Sequence, residues 1–238
     1  MNSKTQHQAE LAQRLEHVRE QIAEAALRVN RTPGDVTLVA VSKTHSAESI
    51  QQAIAIGVTD LGENRVQEAE TKIPEVGRQA ARWHLIGHLQ SNKARRAVEL
   101  FDVIHSLDSV ALAHRLDRVC AEVNRTALPV LIQVDLGHET TKSGAVENEV
   151  PKIVATLKQS PLLRLSGLMT LPPYFDDPED ARPFFRRLRE LRDKLGEQGA
   201  FGDQTGELSM GMTHDFPIAI EEGATIVRIG TAIFGTRG

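Results

Sequence analysis

The stretch that decides the fold reads VTLVAVSK and covers residues 36–43. Its β-branched and apolar residues predict a buried strand, which ends in Ser42 and Lys43. In an α/β fold, a lysine at the carboxyl end of a strand lies where ligands bind, and it becomes a nucleophile when it loses its proton. On this stretch alone, a surface lysine that reaches into solvent is the commoner outcome, so the rest of the chain must decide.

A second run of this kind lies near the other end of the chain. Residues 225–229 read TIVRI and lead directly into Gly230 and Thr231. A glycine lets the backbone approach a ligand closely, and successive N–H groups in such a turn form an anion-binding nest. The segment LSMGM at residues 208–212 is another short strand, with the hydroxyl of Ser209 and a glycine at its end. Together with Lys43, these strand ends predict a site for a phosphorylated ligand.

Apolar runs alternate with helical patterns along most of the chain. Strands are predicted at residues 36–42, 60–62, 83–87, 103–106, 130–136, 163–170, 208–211 and 225–229. Helices are predicted over the first thirty residues and at residues 46–56, 66–75, 92–101, 110–124, 147–158, 182–195 and 216–222. Ser91 is the expected cap of the 92–101 helix. The 182–195 helix is expected to bury a stripe of Phe184, Leu188, Leu191 and Leu195.

Eight strands in regular alternation with helices predict an α/β fold, a single (β/α)8 TIM barrel with an extra N-terminal helix. All 238 residues are expected to form one domain, with residues 1–33 as a helix and connection packed on the barrel. An open doubly wound sheet is the alternative, but no glycine-rich dinucleotide fingerprint follows the first strand. In a closed barrel the first and eighth strands are neighbours, so Lys43 would lie beside the predicted phosphate site.

Composition and charge exclude several classes of function. The net charge of −4, with acidic and basic residues interspersed, does not indicate a basic surface for binding nucleic acid or an anionic membrane. The single cysteine, Cys120, excludes an internal disulfide and a cysteine-based zinc site. The chain shows neither a membrane span nor a signal peptide, so a cytoplasmic protein is expected. A monomer is expected as well. His84 and His88 do not share a face on a strand and turn, so no metal site is expected. Glu63 and Asp108 are expected to be structural partners of arginine or lysine.

Seven motifs follow one another in a recognisable order. They are AVSKT (40–44), GEN (62–64), WHLIGHLQSNK (83–93), KSG (142–144), GLM (167–169), LSMGM (208–212) and RIGTAIFG (228–235). In this order the chain resembles the pyridoxal phosphate homeostasis protein family, also called the proline synthetase co-transcribed homologues. The resemblance extends from residue 36 to the end of the chain.

The resemblance implies a barrel related to the N-terminal domain of bacterial alanine racemase, with pyridoxal 5′-phosphate as its cofactor. Lys43 would be the Schiff-base lysine, Arg228 would face the pyridine nitrogen, and Asn64 would lie near the ring. The phosphate would be held by Ser209, Gly230 and Thr231, and Met210 would also contact the cofactor. Apo-enzymes that depend on pyridoxal 5′-phosphate (PLP) would be the recipients of the cofactor.

The role of Arg228 in this arrangement limits the chemistry. A guanidinium only donates hydrogen bonds, so a pyridine nitrogen that accepts one from it stays unprotonated and the cofactor is a poor electron sink. Alanine racemases take a second base from a tyrosine of a separate C-terminal domain. Here the one tyrosine is Tyr174, in a Pro-rich loop, and the chain runs only to Gly238. A carrier of pyridoxal phosphate rather than an enzyme is therefore expected. A PLP-dependent amino-acid racemase and, more weakly, a Schiff-base aldolase remain as alternatives.

Overall fold

The computed structural model describes residues 3–137 and 143–235. Eight parallel strands close into a barrel in chain order. The strands are β1 Thr37–Val41, β2 Asp60–Glu63, β3 Arg82–Leu85, β4 Val103–Leu107, β5 Leu128–Gln133, β6 Leu163–Met169, β7 Glu207–Ser209 and β8 Ile226–Ile229. The α-helices are α1 Ser3–Arg28, α2 Ala47–Ala55, α3 Val66–Val76, α4 Ala94–Leu100, α5 Val110–Glu122, α6 Val150–Lys158, α7 Arg182–Glu197, α8 Phe216–Glu221 and α9 Thr231–Phe234.

The first and last strands close the barrel. β1 pairs in parallel with β2 on one side and with β8 on the other, where Val39 lies opposite Arg228 and Ala40 opposite Ile229. This register brings the turn after β1 next to the turn after β8. The predicted (β/α)8 barrel with its extra N-terminal helix is confirmed, and with it the expected proximity of Lys43 and Gly230.

Apolar side chains fill both faces of the barrel wall, because successive residues of a strand point to opposite faces. A small inner cluster consists of Val39, Val103, Leu131, Met169 and Ile226. A much larger cluster lies between the strands and the surrounding helices. Helix α1 lies against α8 and α9, with its apolar stripe buried. Each helix of residues 3–137 and 143–235 is too short or too polar to cross a bilayer.

Two local predictions are corrected by the structure. Ser91 does not cap α4; it opens a 3-10 turn, Ser91–Lys93, and α4 follows without a side-chain cap. In α7 the buried aromatic residue is Phe185, whereas Phe184 packs on Phe175 with ring centroids 5.7 Å apart. Both choices satisfy helical spacing, so the packing of α7 on the barrel decides between them. Lys142, in the predicted motif after β5, lies outside the described residues.

Candidate functional site

A cavity of about 410 Å³ opens at the carboxyl ends of the strands. Its lining comes from strands β1 and β8 and from the segments that follow β1, β2, β3, β6, β7 and β8. It consists of Val41, Lys43, Thr44, His45, Asn64, Ile86, Gly87, Leu171, Met212, Thr213, His214, Arg228, Gly230, Thr231 and Gly235. This end of a (β/α)8 barrel is where catalytic and binding residues collect. The volume lies within the ~300–1,000 Å³ of small-molecule sites.

The turn that carries Lys43 is held from outside the barrel. Lys72 of α3 donates from Nζ to the backbone oxygen of Ser42, at 2.8 Å. Glu68 of the same helix accepts the backbone N–H of Thr44 at 3.1 Å, where Thr44 has a φ of +68°. A positive φ is uncommon for a β-branched residue, so these two contacts support a backbone conformation that would otherwise be disfavoured. Lys43 itself is exposed and lines the cavity.

Asn64 reaches the cavity because two turns approach one another closely. A Cβ added to Gly87 would lie 2.2 Å from the backbone oxygen of Asn64, which is far inside van der Waals contact. Glycine at position 87 therefore allows the turns after β2 and β3 to meet. Ile86, beside it, contributes an apolar surface to the same wall.

Arg228 is a buried cation at the floor of the cavity. Its side chain is 3% exposed, and burial lowers the pKa of its guanidinium to about 10, which leaves it charged at neutral pH. Nη1 donates to the hydroxyl of Ser209 at 2.6 Å and Nη2 to the backbone oxygen of Thr170 at 2.9 Å. Two of the five N–H donors of the guanidinium are thus bound by uncharged acceptors.

The three residues predicted at the phosphate, together with Met210, divide into two pairs. Gly230 and Thr231 line the cavity, where Thr231 begins α9. Ser209 and Met210 are fully buried and are not among the residues that line the cavity. The Ser209 hydroxyl is taken up by Arg228 and by Nδ1 of His105, and the backbone N–H of Met210 donates to Ile226. The contacts of Ser209 and Met210 with the cofactor stay a prediction.

Several lining residues were missed by sequence reasoning. Leu171 follows β6, and Met212, Thr213 and His214 follow β7. Loop residues carry no periodic signal, so their approach to the cavity becomes visible only when the barrel closes. Tyr174 stacks on His214 with ring centroids 5.4 Å apart and is 76% exposed, which places it at the rim, as expected for a loop aromatic.

Other predicted roles have mixed outcomes. Glu63 is fully buried and paired with Lys72 at 3.0 Å, as expected for a structural carboxylate. Asp108 pairs with His88 at 3.3 Å, rather than with an arginine or lysine. Cys120 is buried in α5, where burial raises the pKa of its thiol to about 11. Across the part of the chain that the structure describes, no group of three or more His, Cys, Asp or Glu could hold a metal ion.

A closed (β/α)8 barrel with a lysine, a buried arginine and a glycine turn around one cavity defines the class of this protein. Its sequence matches the family described as "Alanine racemase, N-terminal domain" over residues 13–238. It is 42% identical to the "Pyridoxal phosphate homeostasis protein" of Aquifex aeolicus, over 94% of this chain and 97% of that protein. The chain belongs to the pyridoxal phosphate homeostasis protein family, as its motifs predicted.

Solved structures agree with this assignment. PipY of Synechococcus elongatus, in a structure without PLP, superposes with a TM-score of 0.84 at 40% identity, covering 94% of this chain and 100% of PipY. The structure of PipY with PLP bound gives a TM-score of 0.79 at 39% identity, with the same coverage. The similarity therefore extends over nearly the whole length of both chains.

Proposed function

We propose that this protein binds pyridoxal 5′-phosphate through Lys43 and serves as its reservoir and carrier in the cell. The observation that carries the proposal is that Lys43, Arg228 and Gly230 line one cavity at the carboxyl end of the barrel. The family name and the PLP-bound structure of PipY support the identity of the ligand. The expected compartment is the cytosol and the expected recipients are PLP-dependent apo-enzymes.

The donors of the cavity fit the chemistry of this cofactor. Two cationic side chains, Lys43 and Arg228, suit an anionic ligand, and Val41, Ile86 and Leu171 give apolar surface for a flat ring. The bound cofactor would supply an aldehyde, which condenses with an amine and releases water. Lys43 is the amine in this proposal. The phosphate would lie at Gly230 and Thr231, where backbone N–H groups and a hydroxyl are available as donors.

Arg228 is proposed to face the ring nitrogen, with Asn64 beside the ring. Because a guanidinium donates and does not accept, the nitrogen it faces stays unprotonated. A ring of this kind stabilises negative charge poorly, which disfavours racemisation and related reactions. The exposure of Lys43 also leaves the covalent link accessible to a free amine, which could take the aldehyde onward. Release of the cofactor to another amine, rather than turnover of amino acids, is therefore the proposed activity.

Borohydride reduction followed by peptide mapping tests the covalent link. The protein loaded with PLP should carry the phosphopyridoxyl group on Lys43, and Lys43→Ala should lose it. Lys93→Ala is the matched control, since Lys93 lines a neighbouring groove that shares Asn64 with the cavity. Labelling of Lys93 in the unaltered protein, or full labelling of Lys43→Ala, would contradict the assignment.

A pair of glycines tests the phosphate end. A Cβ at Gly230 would lie 3.2 Å from the backbone oxygen of Val41, whereas a Cβ at Gly34 meets nothing within 4 Å. Gly230→Val should weaken PLP retention by about tenfold or more, because it displaces hydrogen bonds of ~1.5–3 kcal/mol each to a charged group. Gly34→Val should leave retention unchanged, and equal retention in both variants would move the phosphate elsewhere.

The racemase alternative is tested by deuterium exchange at Cα of several L-amino acids, with formation of the D-isomer followed in parallel. His45 and His214, which line the cavity, and the rim residue Tyr174 are groups that would be candidates for a second base. We expect exchange far below the 1–10³ per second of ordinary enzymes. Sustained turnover that disappears in Lys43→Ala would overturn the carrier proposal.

A further inference from the structure

A chain of hydrogen bonds crosses the interior of the barrel. It begins at Asp60, whose Oδ1 lies 2.9 Å from Nε2 of His84. Nδ1 of His84 lies 2.8 Å from Nε2 of His105, and Nδ1 of His105 lies 2.9 Å from Oγ of Ser209. The last bond joins Ser209 to Nη1 of Arg228 at 2.6 Å. We call these five residues the inner relay.

The inner relay connects the two ends of the barrel. Asp60 is the first residue of β2 and lines a second cavity of about 310 Å³ at the amino end, together with Arg19 of α1 and Thr59. Arg228 lines the candidate cofactor cavity at the carboxyl end. The relay between them is fully enclosed, with His84 1% exposed and His105 0% exposed.

The chemistry of its ends fixes the direction of every bond. An ionised carboxylate only accepts, so Nε2 of His84 carries hydrogen and its Nδ1 accepts when the ring is neutral. His105 must then donate from Nε2 and accept at Nδ1. The Ser209 hydroxyl is the group that donates to this Nδ1. Oγ of Ser209 is left free to accept from Arg228, which can only donate. The donor-to-acceptor direction that Asp60 imposes on the relay therefore agrees with the direction that Arg228 imposes.

The surroundings favour the protonation states that this direction needs. Burial lowers the pKa of His84, against the opposing effect of the hydrogen bond that His84 donates to Asp60, and lowers the pKa of His105 well below its ordinary value. Burial alone would raise the pKa of Asp60, but hydrogen bonds from His84 and Thr59 outweigh it and lower the pKa. A further proton on either histidine would turn Nδ1 of His105 into a donor to Ser209 and leave the Ser209 hydroxyl hydrogen without an acceptor in the relay.

We propose that His84 and His105 are positioning residues for Arg228, and that the inner relay fixes the guanidinium toward the ring nitrogen of the cofactor; this rests on the proposed function. The relay carries no carboxylate next to Arg228. It binds the cation through the neutral hydroxyl of Ser209, and a second neutral acceptor, the backbone oxygen of Thr170, holds Nη2. The relay thus orients the guanidinium, while the charged group that acts on its pKa is the buried carboxylate of Asp215, which is not part of the relay.

The first arm of the test needs no cofactor. Nitrogen NMR of the imidazole rings in the cofactor-free protein at neutral pH should show His84 and His105 neutral, each with its hydrogen on Nε2. Hydrogen on Nδ1 of either ring, or a charged ring, would overturn the relay whether or not the protein binds PLP. Failure of PLP binding would instead refute the proposed function and leave this arm standing.

The second arm is a double-mutant cycle on PLP retention and on the absorption spectrum of bound PLP. Ser209→Ala removes the link to Arg228, and His105→Phe removes the relay behind it. Each should weaken retention by about tenfold, since each leaves buried polar atoms unpaired. The double variant should be no weaker than Ser209→Ala, because His105 acts only through Ser209. Multiplied effects of about a hundredfold would show independent roles and would overturn the proposal.

A variant at the far end guards against loss of folding. Asp60→Asn changes a partly exposed carboxylate at the amino end of the barrel, remote from the cofactor cavity. It should still shift the absorption of bound PLP. Asp35→Asn is the control and should not, because Asp35 lies at the same end of the barrel but is not part of the relay; it accepts the backbone N–H of Thr32. Ser209→Thr keeps the hydroxyl and should retain the unaltered spectrum. Identical spectra in Asp60→Asn and Asp35→Asn would contradict the relay.

Discussion

Strand β2 places one carboxylate on each face of the barrel wall, and the two are buried in different ways. Asp60 faces inward and begins the inner relay, where neutral groups separate it from Arg228. Glu63 faces outward, where it accepts from Ser42 at 2.7 Å and pairs directly with Lys72. We call Ser42, Glu63, Glu68 and Lys72 the outer tie. One strand thus supports the arginine from inside and the lysine turn from outside.

The two assemblies differ in how completely their atoms are satisfied. Each bond of the inner relay has a donor and an acceptor, whereas Oε2 of Glu63 has no hydrogen-bond partner among the described residues. Burial raises the pKa of Glu63, and hydrogen bonds from Ser42 and Lys72 offset only part of this effect. The outer tie is therefore sensitive to loss of Lys72, because the buried charge of Glu63 would then be unpaired. The inner relay is sensitive to any change that reverses one of its donor–acceptor bonds.

The largest effect is expected when the outer tie loses its cation. Lys72→Met leaves the carboxylate of Glu63 buried and unpaired, and should lower the free energy of unfolding by about 3–5 kcal/mol. Urea unfolding measures the change. Lys152→Met is the control, since Lys152 is 69% exposed and pairs with Glu149 on the surface, where such a pair contributes about 0–1 kcal/mol.

A second substitution sharpens this prediction. Glu63→Gln added to Lys72→Met removes the unpaired charge and should recover part of the lost stability. The recovery should be accompanied by a looser Lys43 turn, because the bond from Lys72 to the backbone of Ser42 stays broken. A double variant that is less stable than Lys72→Met would show that the carboxylate is not the source of the cost.

A smaller effect is expected inside the barrel. Ser209→Ala leaves a nitrogen of His105 and a donor of Arg228 unpaired, and should cost about 1–3 kcal/mol of unfolding free energy. Ser106→Ala is the matched control, because Ser106 is equally buried but its hydroxyl has no hydrogen-bond partner among the described residues. Thermal or urea unfolding should find Ser106→Ala neutral or slightly stabilising. Equal losses in the two variants would mean that Ser209 matters for packing alone.

How well the sequence predicts these regions depends on how far apart in the sequence the contacting residues lie. The eight strands and the positions of Lys43 and Gly230 follow from local periodicity and from the rule that strand ends meet at one face. The choice of Phe185 over Phe184 does not, because both fit the helical stripe.

The inner relay shows where sequence reasoning ends. His84 and His105 are 21 residues apart, and His105 and Ser209 are 104 apart, so their contact exists only after the barrel closes. Sequence reasoning considered His84 only as a metal ligand. Strand alternation places it on the inward face of β3, and that position was the available signal for a buried polar role.

The smallest predicted effect separates the two assemblies by the sign of their pH dependence. The pKa of His105 is lowered in the folded protein, so its contribution to stability is complete above the unfolded value of ~6.5 and is lost as pH falls below it. The pKa of Glu63 is raised, so its contribution is complete below the unfolded value of ~4.3 and is lost as pH rises through the folded value.

Between pH 7.5 and 5.5 the histidine dominates, because the unfolded chain takes up a proton there that the buried ring does not. The buried, neutral His105 should then lower the unfolding free energy by about 1 kcal/mol over this range. Urea unfolding at the two pH values should show this loss reduced by about 1 kcal/mol in His105→Phe, which cannot titrate. Glu63→Gln should not reduce the loss of unfolding free energy between pH 7.5 and 5.5, because the contribution of Glu63 to stability increases as pH falls. A loss that persists in His105→Phe and disappears in Glu63→Gln would assign the pH dependence to the outer tie instead.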